Sequence, residues 1–126
     1  IDFLEPAAAP VEWAYEVITR MIEAGMDFTG IFAATDEAAI GAIAAVKDRG
    51  LRVPEDVAVV SIDNIEMASM VRPALTTVDI PKRMLARFAI QTLQTQHDFP
   101  DQNQMTMVLP TKLIVRESCG AAAAGS

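Results

Sequence analysis

Residues that carry redox and metal chemistry are scarce in this chain of 126 residues. It contains one cysteine, Cys119, and one histidine, His97. A lone cysteine cannot form an internal disulfide, which is typical of a reducing compartment, and these two residues do not have the spacing of a metal site. We therefore expect no metal and no cofactor, and a cytoplasmic location.

Long apolar runs and an excess of positive charge are also missing. Charged residues or prolines interrupt each apolar run before it reaches membrane-spanning length, so no membrane partner is expected. The chain has 10 Lys and Arg residues against 17 Asp and Glu residues, a formal net charge of −7. This balance opposes binding to phosphates, and we predict that the chain does not bind DNA by itself.

The sequence signatures of common enzymes are absent as well. There is no G-x-G-x-x-G, G-x-x-x-x-G-K-[ST] or G-x-S-x-G, and no base adjoins Ser61 or Ser69. Asp36 and Asp63 are the remaining candidates for acid–base or metal chemistry. Nothing in their spacing demands catalysis, so we expect a protein that is not an enzyme. A hydrolase that uses these two acids stays as an alternative.

Alternating strand and helix patterns predict the α/β fold class with a parallel sheet. Hydrophobic residues make up 52% of the chain, which is sufficient for one domain with a buried core. The patterns predict helices over 11–24 and 37–49, a helical turn over 65–71 and a helix from Pro81 to about Leu93, with strands over 29–34, 57–62 and 75–79 and extended segments over 105–109 and 112–116.

The second helix has almost no polar face. Its residues from Ala38 to Val46 are nearly all Ala or Ile, and a helix that is apolar on most sides must be buried on more than one of them. One face can pack on the sheet. The remaining surface needs another cover, either a second copy of the chain or other parts of the same molecule.

Polar residues follow two of the predicted strands, where ligands bind in open parallel sheets. Thr35 and Asp36 follow the first strand, and Asp63 and Asn64 follow the second. An ionised carboxylate at this edge can accept hydrogen bonds from paired sugar hydroxyls. These four residues are therefore the candidate small-molecule site.

Helix capping is the alternative role for the two carboxylates. The run from Asp63 to Glu66 has the pattern of a capping box, and Asp36 can cap a helix that begins at Glu37. Capping explains Asp36 without a ligand. For Asp63, capping and ligand contact both remain open.

Five segments together resemble the C-terminal part of a LacI/GalR-family transcriptional regulator. Their order along the chain makes the resemblance specific, although each alone would be weak. They are Phe32-Ala33-Ala34-Thr35-Asp36 through Ile40-Gly41-Ala42, then 50–57, Val60-Ser61-Ile62-Asp63-Asn64, 72–78, and Leu113-Ile114-Val115-Arg116-Glu117-Ser118.

The resemblance implies one lobe of a periplasmic-binding-protein-like (type I) effector domain, layered helix/sheet/helix. We expect this lobe over 1–120 and a disordered tail over 121–126. A second lobe and an N-terminal helix-turn-helix that contacts operator DNA would lie outside this sequence. A periplasmic sugar-binding transport protein would share the fold and is the closest alternative, ahead of the hydrolase, although the Val115–Ser118 segment favours the regulator.

The resemblance also implies roles for particular residues. The position matched by Asp63 binds effector hydroxyls, so the expected effector is a sugar or a related small molecule. Thr35 stands where the family usually has Asn, and Asn64 stands where it has a second Asp, which leaves the identity of the effector open. Family members dimerise through this lobe, and the expected homodimer contacts are Ile40, Ile43, Met70 and Val71.

Overall fold

The computed structural model describes residues 9–98 and 106–121. Within these ranges the chain forms four helices and four strands. They are α1 (Pro10–Glu23), β1 (Gly30–Phe32), α2 (Asp36–Asp48), β2 (Ala58–Asp63), α3 (Glu66–Met70), β3 (Thr76–Asp79), α4 (Lys82–Asp98) and β4 (Lys112–Ile114). Residues 99–105 and residues 122–126 of the predicted tail lie outside the described residues.

The four strands form one sheet in the order β1-β2-β3-β4. The first three strands run parallel, as the sequence predicts, and β4 pairs with β3 in the antiparallel direction. The predicted α/β fold with a parallel sheet is confirmed for β1, β2 and β3, and the antiparallel β4 makes the sheet mixed. Lys112 pairs with Asp79 at the carboxyl end of β3, so the chain re-enters the sheet from that edge and must run in the opposite direction.

Helix α2 is buried on more than one side, which confirms the prediction from its composition. Ala39 and Ile43 pack with Val59 of the sheet, while Ala42 and Ala45 pack with residues of α1 that include Ile18. The crossing of α1 over α2 is close. A methyl group added at Gly41 would collide with the backbone carbonyl of Val11, so only glycine allows this approach.

The two faces of the sheet differ in how far they are covered. Val57 and Val59 are buried on the face toward α2, whereas Val60 on the other face is only partly buried. The continuous apolar run over 57–62 predicts a strand covered on both faces. Among the described residues, only the face toward α2 is fully covered, so the prediction is wrong for the other face.

The segment after β4 packs against the sheet near the points where β2 and β3 begin. Ser118 is fully buried, and its hydroxyl donates to the backbone oxygen of Val59 at 2.6 Å and accepts from the backbone N–H of Thr76 at 2.9 Å. The carboxylate of Glu117 accepts from the backbone N–H of Ala74 at 2.7 Å. This segment therefore ties β2 to the start of β3, and the carboxyl ends of these strands are left at the other edge.

Helix α4 is the exception to this packing. It spans 17 residues and has no buried residue. Its apolar side chains Leu85, Ile90 and Leu93 are 54%, 59% and 66% exposed. Across 9–98 and 106–121, no helix is both long enough and apolar enough to cross a membrane.

Candidate functional site

The residues predicted to bind a ligand gather at one edge of the sheet. Strands β1, β2 and β3 are parallel, so their carboxyl ends meet there. Thr35 and Asp36 follow β1, while Asp63 ends β2 and lies beside Asp79, the last residue of β3. The structure therefore brings the four candidates together, but it gives each of them a different environment.

Thr35 is the N-cap of α2. Its backbone is extended, and its hydroxyl oxygen accepts from the backbone N–H of Ala38 at 3.2 Å. The helix begins at Asp36, so the idea that Asp36 caps a helix starting at Glu37 is wrong. A Thr at the N-cap satisfies one of the free N–H groups of the first turn, and the following residue is then free to turn inward.

Asp36 is fully buried, and its carboxylate has partners on both oxygens. Oδ1 accepts from the hydroxyls of Ser61 at 2.6 Å and Thr77 at 2.5 Å. Oδ2 accepts from the backbone N–H of Ile65 at 2.8 Å. A buried carboxylate needs such donors to offset its lost hydration. Asp36 thus links α2 to β2, to β3 and to the turn before α3.

Asn64 is also held by neighbouring side chains. Its amide nitrogen donates to Asp79 Oδ1 at 3.0 Å, and its amide oxygen accepts from Arg116 Nη2 at 2.7 Å. Its backbone N–H donates to the Thr77 hydroxyl at 3.2 Å. Asn64 has a φ of 53°, a left-handed conformation that Asn tolerates better than most residues. These bonds fix the turn that follows Asp63.

Asp63 differs from the other candidates because its carboxylate has no partner within the described part of the chain. No hydrogen bond or ion pair there involves it, although Lys82 Nζ donates to the backbone oxygen of Asp63. The predicted capping box is wrong, because Ile65 is the N-cap of α3 and no side chain caps that helix. The Ile65 N–H is taken by Asp36 instead.

The backbone at Asp63 is strained. Its φ is 127°, where residues with a Cβ are rarely found. Such conformations cost about 1–3 kcal/mol and cluster at sites of function. A half-buried carboxylate without a partner, held in a strained turn at the carboxyl edge of a parallel sheet, can accept hydrogen bonds from a bound molecule.

A second surface lies on the outer side of α2, between this helix and α3. Ile40, Ala44, Lys47, Val71 and Arg72 line a groove of about 310 Å³, which we call the α2–α3 groove. Its floor includes Ile43, which is only 4% exposed. Met70 at the end of α3 is 67% exposed. Of the four predicted dimer contacts, the structure thus places Ile43 in the protomer core and leaves Met70 outside it.

The sequence patterns missed several residues of the site. Ser61 and Thr77 hold Asp36, while Asp79 and Arg116 hold Asn64, and Lys82 contacts the Asp63 backbone. Ser61 carried one usable signal, because it is a polar residue at an inward position of an otherwise apolar strand. The Arg116 contact gave no local signal, since its partner lies 52 positions earlier.

Comparisons with known proteins identify relatives of this chain. A family described as periplasmic binding protein-like domains matches residues 4–119. The ribose operon repressor of Haemophilus influenzae is 37% identical over 90 residues, which are 71% of this chain and 27% of the repressor. The transcriptional repressor MelR of Bacillus subtilis is 37% identical over 109 residues, 86% of this chain and 31% of MelR.

Solved structures with the same fold include regulators with bound ligands. A LacI family regulator from Enterococcus faecium with bound ribose has a TM-score of 0.73 and 28% identity, covering 86% of this chain and 40% of that one. The lac repressor dimer bound to operator and the anti-inducer ONPF has a TM-score of 0.78 and 28% identity, covering 86% of this chain and 38% of the repressor. The chain spans about a third of the length of the curated relatives that it matches.

Proposed function

Because the chain belongs to the LacI/GalR family of periplasmic binding protein-like domains, we propose that it is the effector-binding and dimerisation lobe of a LacI-type transcriptional regulator. Its residues match the C-terminal part of that effector domain. The effector would be a sugar or a related small molecule, bound at the carboxyl edge of the sheet. The regulator would act in the cytoplasm, where its operator DNA lies.

The observation that carries this proposal is the environment of Asp63. Of the four candidates, Thr35, Asp36 and Asn64 already use their side-chain oxygens in internal hydrogen bonds. Asp63 has a carboxylate without a partner among the described residues, at the edge where ligands bind in this class of sheet. We therefore assign effector contact first to Asp63 and treat Thr35, Asp36 and Asn64 as residues that support it.

The substitution Asp63→Asn tests this assignment in the intact protein. It keeps the size of the side chain but removes the charged acceptor, so affinity for the effector should fall by roughly 1.5–3 kcal/mol, the range for charge-assisted hydrogen bonds. Isothermal titration with a panel of pentoses, hexoses and disaccharides, starting with ribose, measures the change.

Asp56→Asn is the matched control for that titration. Asp56 lies just before β2, whereas Asp63 is the last residue of that strand. Asp56→Asn is therefore the same chemical change at a position away from the site. Its affinity should equal that of the wild type. If Asp63→Asn binds as tightly as the wild type while the fold is intact, Asp63 does not contact the effector.

We further propose that the α2–α3 groove is the homodimer interface. Helix α1 covers one side of α2, so other parts of the chain bury much of the helix. Ile40 and Val71 still line an outward groove, and Met70 beside them is exposed. A two-fold axis would bury this apolar patch against itself. The lac repressor of known structure is a dimer.

The substitution Ile40→Asp tests the interface. A carboxylate buried between protomers without a partner is costly, so the variant should be monomeric while the lobe stays folded. Sedimentation velocity of the wild type and the variant over a range of concentrations gives the result. Met26→Asp, at an exposed apolar residue that does not line the groove, should leave the dimer intact. A dimeric Ile40→Asp variant would place the interface elsewhere.

The hydrolase alternative has little support in the geometry. A hydrolase of this kind needs two carboxylates that can reach substrate or a metal. Asp36 is fully buried, and each of its oxygens accepts from a donor of the same chain. The relatives with curated names are regulators, which also favours the regulator over a periplasmic transport protein.

Operator binding would belong to a part of the protein outside this sequence. The chain carries a net charge of −7, which opposes phosphate contacts, and we expect the helix-turn-helix to lie outside this sequence. A helix-turn-helix in the parent sequence would support the regulator. A sequence-dependent, salt-sensitive gel shift with this chain alone would contradict this division of roles.

A further inference from the structure

We infer that Asp36 and Thr77 are positioning residues for Asp63, an inference that rests on the proposed role of Asp63 in effector binding. Neither side chain reaches the ligand in this scheme. Instead, they hold the turn at 63–65 in the strained conformation that presents the Asp63 carboxylate at the sheet edge.

The turn has two backbone N–H groups directly after Asp63, and both are taken by this pair. Ile65 donates to Asp36 Oδ2 at 2.8 Å, and Asn64 donates to the Thr77 hydroxyl at 3.2 Å. The two acceptors are joined, because the same Thr77 hydroxyl donates to Asp36 Oδ1 at 2.5 Å. The carboxylate and the hydroxyl therefore act as one unit beneath the turn.

The burial of Asp36 and Thr77 restricts the movement of this unit. Asp36 and Thr77 are both fully buried, and they lie on α2 and β3, two elements that are separate from the turn along the chain. A turn with positive φ at two successive residues, 127° and 53°, persists only where its neighbours determine it. The paired N–H bonds supply that constraint. Preorganisation of this kind lowers the cost of ordering the site when a ligand binds.

Ser61 offers a matched comparison with Thr77. Both hydroxyls are buried, and both donate to Asp36 Oδ1, at 2.6 Å and 2.5 Å. Only Thr77 also accepts from the turn, through the Asn64 N–H. Removal of either hydroxyl should destabilise the fold by a similar amount. Only removal of the Thr77 hydroxyl should loosen the turn.

The test compares Thr77→Val, Thr77→Ser and Ser61→Ala in the intact protein by amide hydrogen exchange. In Thr77→Val, exchange at Asn64 and Ile65 should be roughly threefold to tenfold faster, the factor that the loss of one neutral hydrogen bond gives. Ser61→Ala should leave the exchange of these two amides near wild type. Thr77→Ser should restore it. Equal exchange in Thr77→Val and Ser61→Ala would overturn the inference.

Ribose titration of the same variants adds a readout that a purely structural role would not change. Thr77→Val should weaken binding in the wild-type background and should have no further effect in the Asp63→Asn background, because it acts through Asp63. An equal loss in both backgrounds would overturn the positioning role. If ribose does not bind the wild type, a sugar of the panel that does bind replaces it as the probe, and the exchange experiment still decides the positioning role.

Discussion

Helices α2 and α4 both carry large apolar side chains, but the surroundings of these side chains differ. Of the 13 residues of α2, seven are buried, whereas none of the 17 residues of α4 is buried. Helix α2 lies between the sheet and α1, and Leu85 and Leu93 of α4 remain exposed. Apolar side chains on a helix thus indicate that another part of the protein packs on them, but they do not show which part it is.

The cover of α4 is best sought in a second lobe of the parent protein. The curated relatives are much longer than this chain, and the resemblance implies a domain of two lobes. Helix α4 also follows the carboxyl edge of β3, where a ligand cleft between lobes would open. We propose that α4 is covered by that lobe. Mutations can then compare the buried contact between α1 and α2 with the exposed side chains of α4.

The largest effect is expected where α1 crosses α2. Gly41→Ala adds a methyl group that would collide with the Val11 carbonyl, and the helices would have to separate. We expect a net loss of roughly 4 kcal/mol or more in the free energy of unfolding, because the added methyl group meets backbone atoms that cannot move aside, and this cost far exceeds the gain in helix propensity of about 1 kcal/mol. Urea denaturation followed by circular dichroism measures it.

Gly30→Ala is the control for the crossing. A Cβ at Gly30 would meet only the Ala58 carbonyl oxygen, at an ordinary distance of 4.0 Å. The stability of this variant should stay within about 0.5 kcal/mol of the wild type. Similar losses for Gly41→Ala and Gly30→Ala would mean that α1 and α2 do not cross as closely as described.

A smaller effect should separate the same residue type in the two helices. Ile43 in α2 is 4% exposed and Ile90 in α4 is 59% exposed. Ile43→Ala should lower the free energy of unfolding by about 2–4 kcal/mol, because it leaves a cavity in the core. Ile90→Ala should change it by less than about 0.5 kcal/mol in this chain.

The same two substitutions can also be compared in the intact parent protein, where α4 has its full surroundings. If a second lobe covers α4, Ile90→Ala should become clearly destabilising in the longer protein, while the cost of Ile43→Ala should change little. Thermal or urea unfolding of the two variants and the wild type, in this chain and in the parent protein, provides the measurement. An unchanged, near-zero effect of Ile90→Ala in the parent would show that this position of α4 faces solvent there too.

The smallest effect concerns the turn that returns the chain from α2 to β2. Arg52 donates from two side-chain nitrogens to the Asp56 carboxylate, at 2.7 and 2.8 Å, and this ion pair lowers the pKa of Asp56 to about 2. The unfolded chain has the ordinary, higher pKa. The pair therefore stabilises the fold above about pH 4, and this contribution is lost as the pH falls toward 2.

Asp56→Asn checks the pH effect. The variant should have slightly lower stability than the wild type at pH 7, and the difference should shrink as the pH falls from about 4 toward 2. The pair is exposed, so the difference is small and decreases with added salt. Urea midpoints measured at several pH values give the comparison. A difference that grows on acidification would contradict the lowered pKa of Asp56.

The order of the elements followed from the sequence, because it depends on local periodicity. The apolar run before Asp63, the Ala-rich α2 and the glycine after Arg49 each carry their own signal, and most predicted bounds agree with the structure to within about two residues. The exceptions are α4, which ends at Asp98 instead of near Leu93, and the extended segment predicted over 105–109, where residues 106–109 form no strand. The direction of β4 did not follow from its sequence. It depends on the end of the sheet from which the chain returns after α4, and the sequence of a strand with three paired residues does not indicate that direction.

The clustering of the candidate residues could be predicted, but the different environments of their side chains could not. Strand ends placed Asp36 and Asp63 at one edge. Whether a carboxylate there is free or engaged depends on hydroxyls far along the chain, and Thr77, which holds Asp36, lies 41 positions away. Capping logic also misplaced both acids, because Thr35 was an equally good N-cap and Ile65 found its acceptor in a distant residue.

The positive φ of Asp63 has a consequence for how this lobe can change during evolution. Glycine adopts a φ of 127° without the steric cost that a Cβ brings, so Asp63→Gly would relax the backbone while it removes the carboxylate. Selection for stability alone would therefore favour loss of the aspartate. An Asp retained at this position across related sequences would be a record of selection for ligand binding against the preference of the fold.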